Sequence, residues 1–137
     1  ARYEIHIESY NKLIRIEAKT MMDMVMHQIL PAALAYSSDL AESVQRKRKA
    51  FIKIGKNSAD ASLASRISSC CDSLYAHAEH LHKDLKAVPT DSKVAMDYYS
   101  SVIIPDMQAV RKDADRLEKL TAKNYWPYPT YSEMLYY

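Results

Sequence analysis

Residues 67–89 read ISSCCDSLYAHAEHLHKDLKAVP, and the spacing of their apolar side chains decides the fold class. Apolar residues recur by threes and fours, which is the period of one face of an α-helix. They are Ile67, Cys71, Leu74, Ala78, Leu81, Leu85 and Val88. Such a seam is typical of a bundle helix that packs against antiparallel neighbours. Pro89 ends the pattern because proline lacks the N–H that a helix uses.

The segments on both sides of this helix have the same period. A first helix is predicted over residues 3–54, and a third, capped by Thr90 or Asp91, up to residue 124. The first helix is predicted to turn inward Tyr10, Ile14, Met21, Met24, Val25, Leu30, Leu34, Ala41 and Val44. The third is predicted to turn inward Tyr99, Ile103, Met107, Val110, Ala114, Leu117 and Thr121. Between the first two helices, Gly55 is predicted to be the C′ residue and Ser58 the next N-cap.

The composition agrees with an all-α domain. A single glycine among 137 residues leaves few positions for the tight turns and bulges that sheets need. A chain with 48% hydrophobic and 26% charged residues is typical of one soluble globular domain. No run of about 18 apolar residues could span a bilayer, so no membrane partner is predicted. The net charge of +2 is too small to imply a polyanionic partner by itself.

Two interior prolines, Pro31 and Pro105, interrupt the helical patterns. An interior proline costs about 3 kcal/mol, so the first helix is predicted to kink or break near Ile29 and Leu30. At about 1.5 Å per residue, the second and third helices are roughly 45 to 50 Å long, and an unbroken first helix would approach 80 Å. We therefore predict an antiparallel bundle of three long helices, the first kinked or broken at Pro31 in a four-helix-like arrangement. If its first half overhangs instead, the tail, a second chain or a preceding domain must cover it.

A tail rich in aromatic residues and proline follows the bundle, where residues 125–131 read YWPYPTY. Two prolines fix φ and remove backbone donors, so this segment is predicted to run extended with its rings on an apolar surface. The candidate docking residues are Tyr125, Trp126, Pro127, Tyr128, Pro129 and Tyr131. We predict a helical bundle over residues 1–124 and a docking tail over residues 125–137.

Three histidines, His77, His80 and His82, lie close together in the second helix, beside Glu79. Metal sites in bundles use Glu and Glu-x-x-His ligands from facing helices, and no second Glu-x-x-His motif appears on another predicted helix. We therefore predict structural or solvent-exposed histidines and no metal site. No nucleophile lies beside a base and no glycine-rich phosphate loop is present, so no catalytic or cofactor-binding residue is predicted.

A basic run lies near the end of the first helix. It comprises Arg46, Lys47, Arg48, Lys49, Lys53 and Lys56. Basic patches attract nucleic-acid phosphates. However, consecutive charges on a helix point in all directions, and cations are favoured at a helix C-terminus anyway. A solvated helix end is therefore favoured over nucleic-acid binding. Cys70 and Cys71 diverge by about 100° on the second helix and are predicted to be reduced, which fits a cytoplasmic location.

Short motifs at both ends of the chain carry a family resemblance. They are Arg2-Tyr3-Glu4-Ile5, Ile16-Glu17-Ala18, Thr20-Met21, Asp23-Met24, Gln28-Ile29-Leu30-Pro31-Ala32 and Lys123-x-Tyr125-Trp126-Pro127-x-Pro129-Thr130-Tyr131. Together they are similar to the C-terminal helical region of type III glutamine synthetases, over essentially the whole chain. The middle, residues 46–97, matches only in helical pattern, and residues 132–137 depart from the small, acidic and aliphatic positions of the family.

The resemblance implies a parent enzyme that joins glutamate and ammonia to make glutamine, using ATP and Mg²⁺ or Mn²⁺, in ring-shaped oligomers. Its catalytic residues lie upstream of this region, so the resemblance implies no catalytic residue and no cofactor in this chain. We expect a non-catalytic C-terminal domain for domain packing or oligomer assembly, with the upstream catalytic domain and other subunits as partners, or a homo-oligomer. The alternative is a free-standing helical adaptor or nucleic-acid-associated protein that uses the basic run. A start at Ala1, without methionine, favours an excised piece of a longer chain.

Overall fold

The computed structural model describes the backbone of residues 2–129 and the side chains of residues 5–129. Its five α-helices are α1 (Arg2–Met24), α2 (Leu30–Lys49), α3 (Ala59–Lys86), α4 (Ser92–Tyr98) and α5 (Ile104–Leu120). Two π-helical segments, Val25–Ile29 and Tyr99–Ile103, join α1 to α2 and α4 to α5. Residues 2–129 contain no strand, which confirms the predicted all-α class. The antiparallel order and the four-helix-like completion stay predictions.

Each π segment ends two residues before an interior proline. Pro31 and Pro105 are the second residues of α2 and α5. The Leu30 N–H donates to the Val25 carbonyl and the Ile104 N–H to the Tyr99 carbonyl, so both bonds skip one residue more than α-helical bonds do. A widened turn accommodates a proline ring that would otherwise clash with the preceding turn. The helix therefore continues through Pro31 without a break, and the predicted kink stays a prediction.

The inward face of α2 differs in part from the predicted one. Leu34 and Ala41, which were expected on the inward face, are exposed, and Leu34 keeps 49% of its surface accessible. Ala33 is buried and Leu40 is half-buried in their place. The prediction is therefore wrong at these two positions of α2, whereas Leu30 and Val44 are buried as predicted.

The prediction for the end of the first helix is wrong in two respects. The helix ends at Lys49 rather than at residue 54. Its left-handed C′ residue is Phe51 (φ 62°) and not the predicted Gly55, which has no positive φ. The Ile52 N–H donates to the Lys47 carbonyl (2.8 Å) and the Phe51 N–H to the Arg48 carbonyl (3.0 Å), which is the Schellman pattern. These two bonds satisfy carbonyl groups that have no partner within the helix, and they end the helix at Lys49.

The later helix ends agree better with the sequence. Ser58 is the N-cap of α3, although its hydroxyl donates to the Gly55 carbonyl (2.8 Å) instead of accepting from the helix. Asp91 caps α4 by accepting from the Val94 N–H (3.1 Å). The last helix ends at Leu120, four residues before its predicted end, because Thr121 adopts an extended conformation.

Replacing Phe51 with glycine is expected to stabilise the chain. Left-handed backbone costs an ordinary residue about 1 to 2 kcal/mol, and the Phe51 side chain is 97% exposed, so it returns little packing energy. Glycine adds a cost of about 0.5 to 1 kcal/mol through the entropy of the unfolded chain. The free energy of unfolding in urea should rise by about 0.5 to 1 kcal/mol. The control, Phe51→Ala, keeps the backbone strain, so an equal gain in that variant would contradict this explanation.

The core is organised around α3. This helix packs most extensively against α2 and α5, whereas α1 packs mainly against α4. The predicted seam of α3 is confirmed, since Ile67, Cys71, Leu74, Ala78, Leu81 and Leu85 are all buried and Val88 is half-buried. The largest fully buried side chains elsewhere are Val25, Ile103, Val110 and Leu117. The α3 seam thus supplies the centre of the hydrophobic core, with the other helices around it.

Candidate docking surface and polar clusters

The aromatic tail begins with a turn after the last helix. The Tyr125 and Trp126 N–H groups both donate to the Ala122 carbonyl, at 2.9 and 3.1 Å. From there to Pro129 the backbone forms bends and neither helix nor strand. This turn points the rings of the tail back toward the bundle. Tyr131, the last candidate docking residue, lies outside the described residues.

The rings of the tail contact the first two helices. The Tyr125 ring lies 4.9 Å from the Tyr36 ring of α2, measured between centroids, and its hydroxyl donates to the Asp39 carboxylate. The Tyr128 hydroxyl donates to the Gln28 side-chain oxygen in the first π segment. Pro127 and Pro129 are exposed. The tyrosines therefore hold the tail to the chain by hydrogen bonds on two successive elements.

Trp126 is the anchor of the tail. Its side chain is 9% exposed and belongs to the main hydrophobic core. The Tyr128 ring lies edge-on to it with centroids 6.3 Å apart, a favourable aromatic geometry. The indole Nε1 is buried and has no hydrogen-bond partner, so this tryptophan is held by apolar packing.

Trp126 and Tyr128 line one end of a groove between α1 and α5. The groove has a volume of about 580 Å³. Its apolar lining includes Ile16, Met21, Met24, Val25, Met107 and Val110. Acidic and basic side chains stand at its rim, among them Glu17, Arg111, Asp115 and Glu118. Apolar walls with a polar rim are the usual composition of a surface that receives a partner.

An exposed apolar face continues from this groove along α1. Ile5, Leu13, Ile16 and Met24 are respectively 62%, 54%, 52% and 37% exposed. Ile5 and Ile16 are eleven residues apart, as are Leu13 and Met24, and eleven residues make about three helical turns. The buried residues Ile7, Ile14 and Ala18 lie on the other side of the same helix. Thus α1 has two apolar faces, and the core covers one of them.

The histidines of α3 have separate partners. His77 Nδ1 lies 2.6 Å from the buried Asp113 carboxylate, which also accepts a 2.8 Å hydrogen bond from Ser73. This arrangement places the carboxylate between the serine and the histidine. A catalytic triad instead needs the histidine in the middle, so these three residues form a structural link from α3 to α5. His82 lies in a different groove, with residues of α1.

His80 belongs to a second polar cluster. Its Nε2 lies 3.2 Å from Asp84 Oδ2 and 3.7 Å from Asp106 Oδ1. Burial and the neighbouring Asp84 carboxyl raise the pKa of Asp106 to about 6. The Tyr98 hydroxyl donates to the Asp84 carbonyl (2.7 Å), which ties α4 to the end of α3. Three groups able to bind a cation therefore meet where α3, α4 and α5 come together.

The two cysteines are free and buried, as predicted for reduced core thiols. Burial raises the pKa of the Cys71 thiol to about 11, and Cys70 and Asp72 add to the rise. Burial also raises the pKa of Cys70, with a further contribution from Asp113. Only the thiolate is a strong nucleophile, so both groups are poor nucleophiles at neutral pH.

The basic run surrounds the end of α2. Lys47 Nζ donates to Asp60 Oδ2 at 2.8 Å, and this hydrogen bond lowers the pKa of Asp60. Arg46, Arg48 and Lys49 are exposed in the last helical turn, where the helix dipole favours cations. One member of the run thus joins α2 to the start of α3. Among the helices of residues 2–129, none has both the length and the apolar character needed to cross a membrane.

Comparisons with known proteins relate this chain to one family of enzymes. The family described as glutamine synthetase C-terminal domain matches residues 1–48, which cover α1, the first π segment and nearly all of α2. A glutamine synthetase of Butyrivibrio fibrisolvens is 30% identical over 142 residues, which cover 99% of this chain and 20% of that protein. Over nearly its whole length the chain is similar to glutamine synthetases, and its first 48 residues match their C-terminal domain.

Two further glutamine synthetases match almost the whole domain. The type-3 glutamine synthetase of Dictyostelium discoideum is 34% identical over 143 residues, with 99% of this chain and 19% of that protein covered. A glutamine synthetase of Bacteroides fragilis (strain YCH46) is 23% identical over 146 residues, with 98% and 19% covered. The type III resemblance predicted from the motifs is confirmed. The chain spans about a fifth of the length of the curated relatives it matches.

Sequence reasoning missed the residues that receive the tail and the carboxylates that face the histidines. Gln28 and Asp39 look like ordinary surface polar residues of a long helix, and they meet the tail only because the chain folds back. Asp106 lies 26 residues from His80 along the sequence, and Asp113 lies 36 residues from His77. No local motif marks either set, since each depends on how the helices pack.

Proposed function

We propose that this chain is a non-catalytic helical domain of a glutamine synthetase, and that it serves domain packing or oligomer assembly. In this proposal the parent enzyme joins glutamate and ammonia with ATP and Mg²⁺ or Mn²⁺, and its catalytic groups lie outside this chain. The observation that carries the proposal is the exposed apolar face of α1, which a stable isolated domain would bury. The proposed occupant of that face is the upstream catalytic domain of the same enzyme or a neighbouring subunit.

The chemistry of the described residues supports a packing role. The buried thiols have raised pKa values, and Ser73, His77 and Asp113 are in the wrong order for nucleophilic catalysis. The tail supports it as well, because residues 125–129 present apolar rings both to the bundle and to the groove beside α1. We propose that residues 125–137 act as a docking tail that closes one end of this surface, with the bundle over residues 1–124 beneath it.

A double variant tests the proposed surface, Leu13→Ser with Ile16→Ser. In the isolated chain these exposed changes should alter the free energy of unfolding by less than about 1 kcal/mol. In a full-length glutamine synthetase that contains this domain, the same changes should reduce the oligomer size and the activity together. Analytical ultracentrifugation and a glutamine-forming assay measure the two effects. The matched control is Val94→Ser, which removes a 53% exposed residue from α4.

Two outcomes would contradict the proposal. An unchanged oligomer with unchanged activity in the full-length double variant would show that the α1 face is not an interface. ATP- and glutamate-dependent phosphate release by the purified 137-residue chain would show that the domain is catalytic.

The alternative role in nucleic-acid binding rests on the basic run at the end of α2. One of its lysines is already bound to Asp60, and Arg46, Arg48 and Lys49 are exposed in the last turn of α2. Retention of a labelled oligonucleotide by the purified chain at low ionic strength, and its loss at higher salt, would support this alternative. The cytoplasmic location inferred from the thiols stays a prediction.

A further inference from the structure

We propose that His80, Asp84 and Asp106 form a binding site for one divalent transition-metal ion of the zinc class. One atom of each residue, an imidazole nitrogen and two carboxylate oxygens, lies within 4.8 Å of the other two. This site is separate from the α1 surface, and it does not depend on the proposed packing role. No sequence motif marks the full ligand set, because the third ligand comes from another helix and is an aspartate rather than part of a Glu-x-x-His motif.

The spacing of the three groups suits a small ion. Two ligands at about 2.0 to 2.1 Å from a tetrahedral zinc ion are about 3.3 to 3.4 Å apart. His80 Nε2 lies 3.2 Å from Asp84 Oδ2 and 3.7 Å from Asp106 Oδ1, on either side of that value. Rotation of exposed His80, whose side chain keeps 61% of its surface accessible, would adjust both distances without moving a helix.

The environment of the two carboxylates favours a bound cation. The side chains of Asp84 and Asp106 are only 19% and 14% exposed, and the two carboxyl groups lie close enough to interact directly. Asp106 Oδ2 is fully buried and has no hydrogen-bond partner. A buried carboxylate oxygen without a donor, beside a second carboxylate, is unfavourable unless a cation or a proton compensates for its charge.

Residues of α3, α4 and α5 together hold these ligands in place. His80 and Asp84 are four residues apart on α3, so they share one helical face. The Tyr98 hydroxyl fixes the Asp84 carbonyl, and Asp106 lies in the first turn of α5, directly after Pro105. The open side at His80 leaves room for water to complete the coordination. One imidazole with carboxylates favours zinc-like ions over magnesium, which prefers oxygen ligands alone.

Zinc binding by the untagged, chelator-treated 137-residue chain tests this proposal. Isothermal titration with ZnCl₂ should give one ion per chain at this site and a rise in the thermal midpoint. His80→Ala and Asp106→Asn should each weaken binding at least about tenfold, since even the loss of groups that only support a metal ligand costs 10- to 100-fold. His82→Ala, an exposed histidine two residues from His80, is the matched control and should bind zinc like the parent.

Three outcomes would overturn the proposal. They are no saturable zinc binding by the parent chain, zinc affinities of His80→Ala and Asp106→Asn that both equal that of the parent, or displacement of zinc by an equimolar amount of MgCl₂. The first two would leave His80 as an ordinary ion-pair partner of the carboxylates. Circular dichroism checks that each variant folds. His80→Ala alters an exposed side chain, so it keeps the test decisive even if Asp106→Asn disturbs the helix junction.

Discussion

Replacing Leu81 with alanine is expected to lower the free energy of unfolding by about 3 to 5 kcal/mol. Leu81 has no accessible surface and lies in the middle of the buried seam of α3, the helix that packs against both α2 and α5. The cost combines lost transfer free energy with the cavity that remains, since helices packed on both sides cannot collapse into the gap. Urea denaturation followed by circular dichroism measures the change.

Leu34→Ala is the matched control for this prediction. It removes the same atoms from α2, but Leu34 is 49% exposed, so the expected loss is within about 1 kcal/mol. The buried-seam interpretation fails if the two variants lose similar amounts of stability. A total stability of about 5 to 15 kcal/mol is usual for a domain, so the Leu81 variant should remain folded in water only if the parent is not at the lower limit.

Replacing Trp126 with alanine should cost about 3 kcal/mol and release the tail from the bundle. The indole is 9% exposed and closes the end of the groove between α1 and α5. Its loss also removes the edge-on contact with Tyr128 and the anchor that places Tyr125 near Tyr36. Two measurements test this, the denaturation midpoint and the rate of proteolysis after Lys123, which should rise in the variant.

Trp126→Phe separates packing from hydrogen bonding at this position. The indole Nε1 has no partner, so phenylalanine removes a buried, unsatisfied donor while keeping most of the apolar contact. The expected loss is below about 1.5 kcal/mol, with little change in proteolysis. A loss as large as that of the alanine variant would mean that the indole nitrogen binds a group essential to the tail.

The α3 helix could be predicted from the sequence because one uninterrupted period decides it. Its seam is buried as expected, and it is flanked by strong punctuation at residues 55–58 and at Pro89. The C-terminal end of α2 could not be predicted in the same way. Glycine is the usual residue of a left-handed cap, but here Phe51 adopts that conformation and the helix ends five residues before the expected position.

The polar sites were beyond sequence reasoning for a different reason. The tail residues were recognised because prolines and aromatic rings are informative by themselves. Their partners, Gln28 and Asp39, and the carboxylates near the histidines become visible only when helices distant in sequence pack together. The period of the apolar residues indicates which side of a helix faces inward, but it does not indicate which polar residues of two helices contact each other.

The π segments make the length of the helices as important as their composition. Fully buried residues are seven apart from Ala18 to Val25, but eight apart from Val25 to Ala33, across the first π segment. The second π segment has the same effect on the spacing of buried residues. Ala95 and Ile103 are eight residues apart across it, whereas Ile103 and Val110 are seven apart after it. Deleting one residue there would turn every downstream side chain by about 100°. A relative that lacks one residue at either π segment is therefore expected to lack the π turn there, rather than to differ by a neutral loop change.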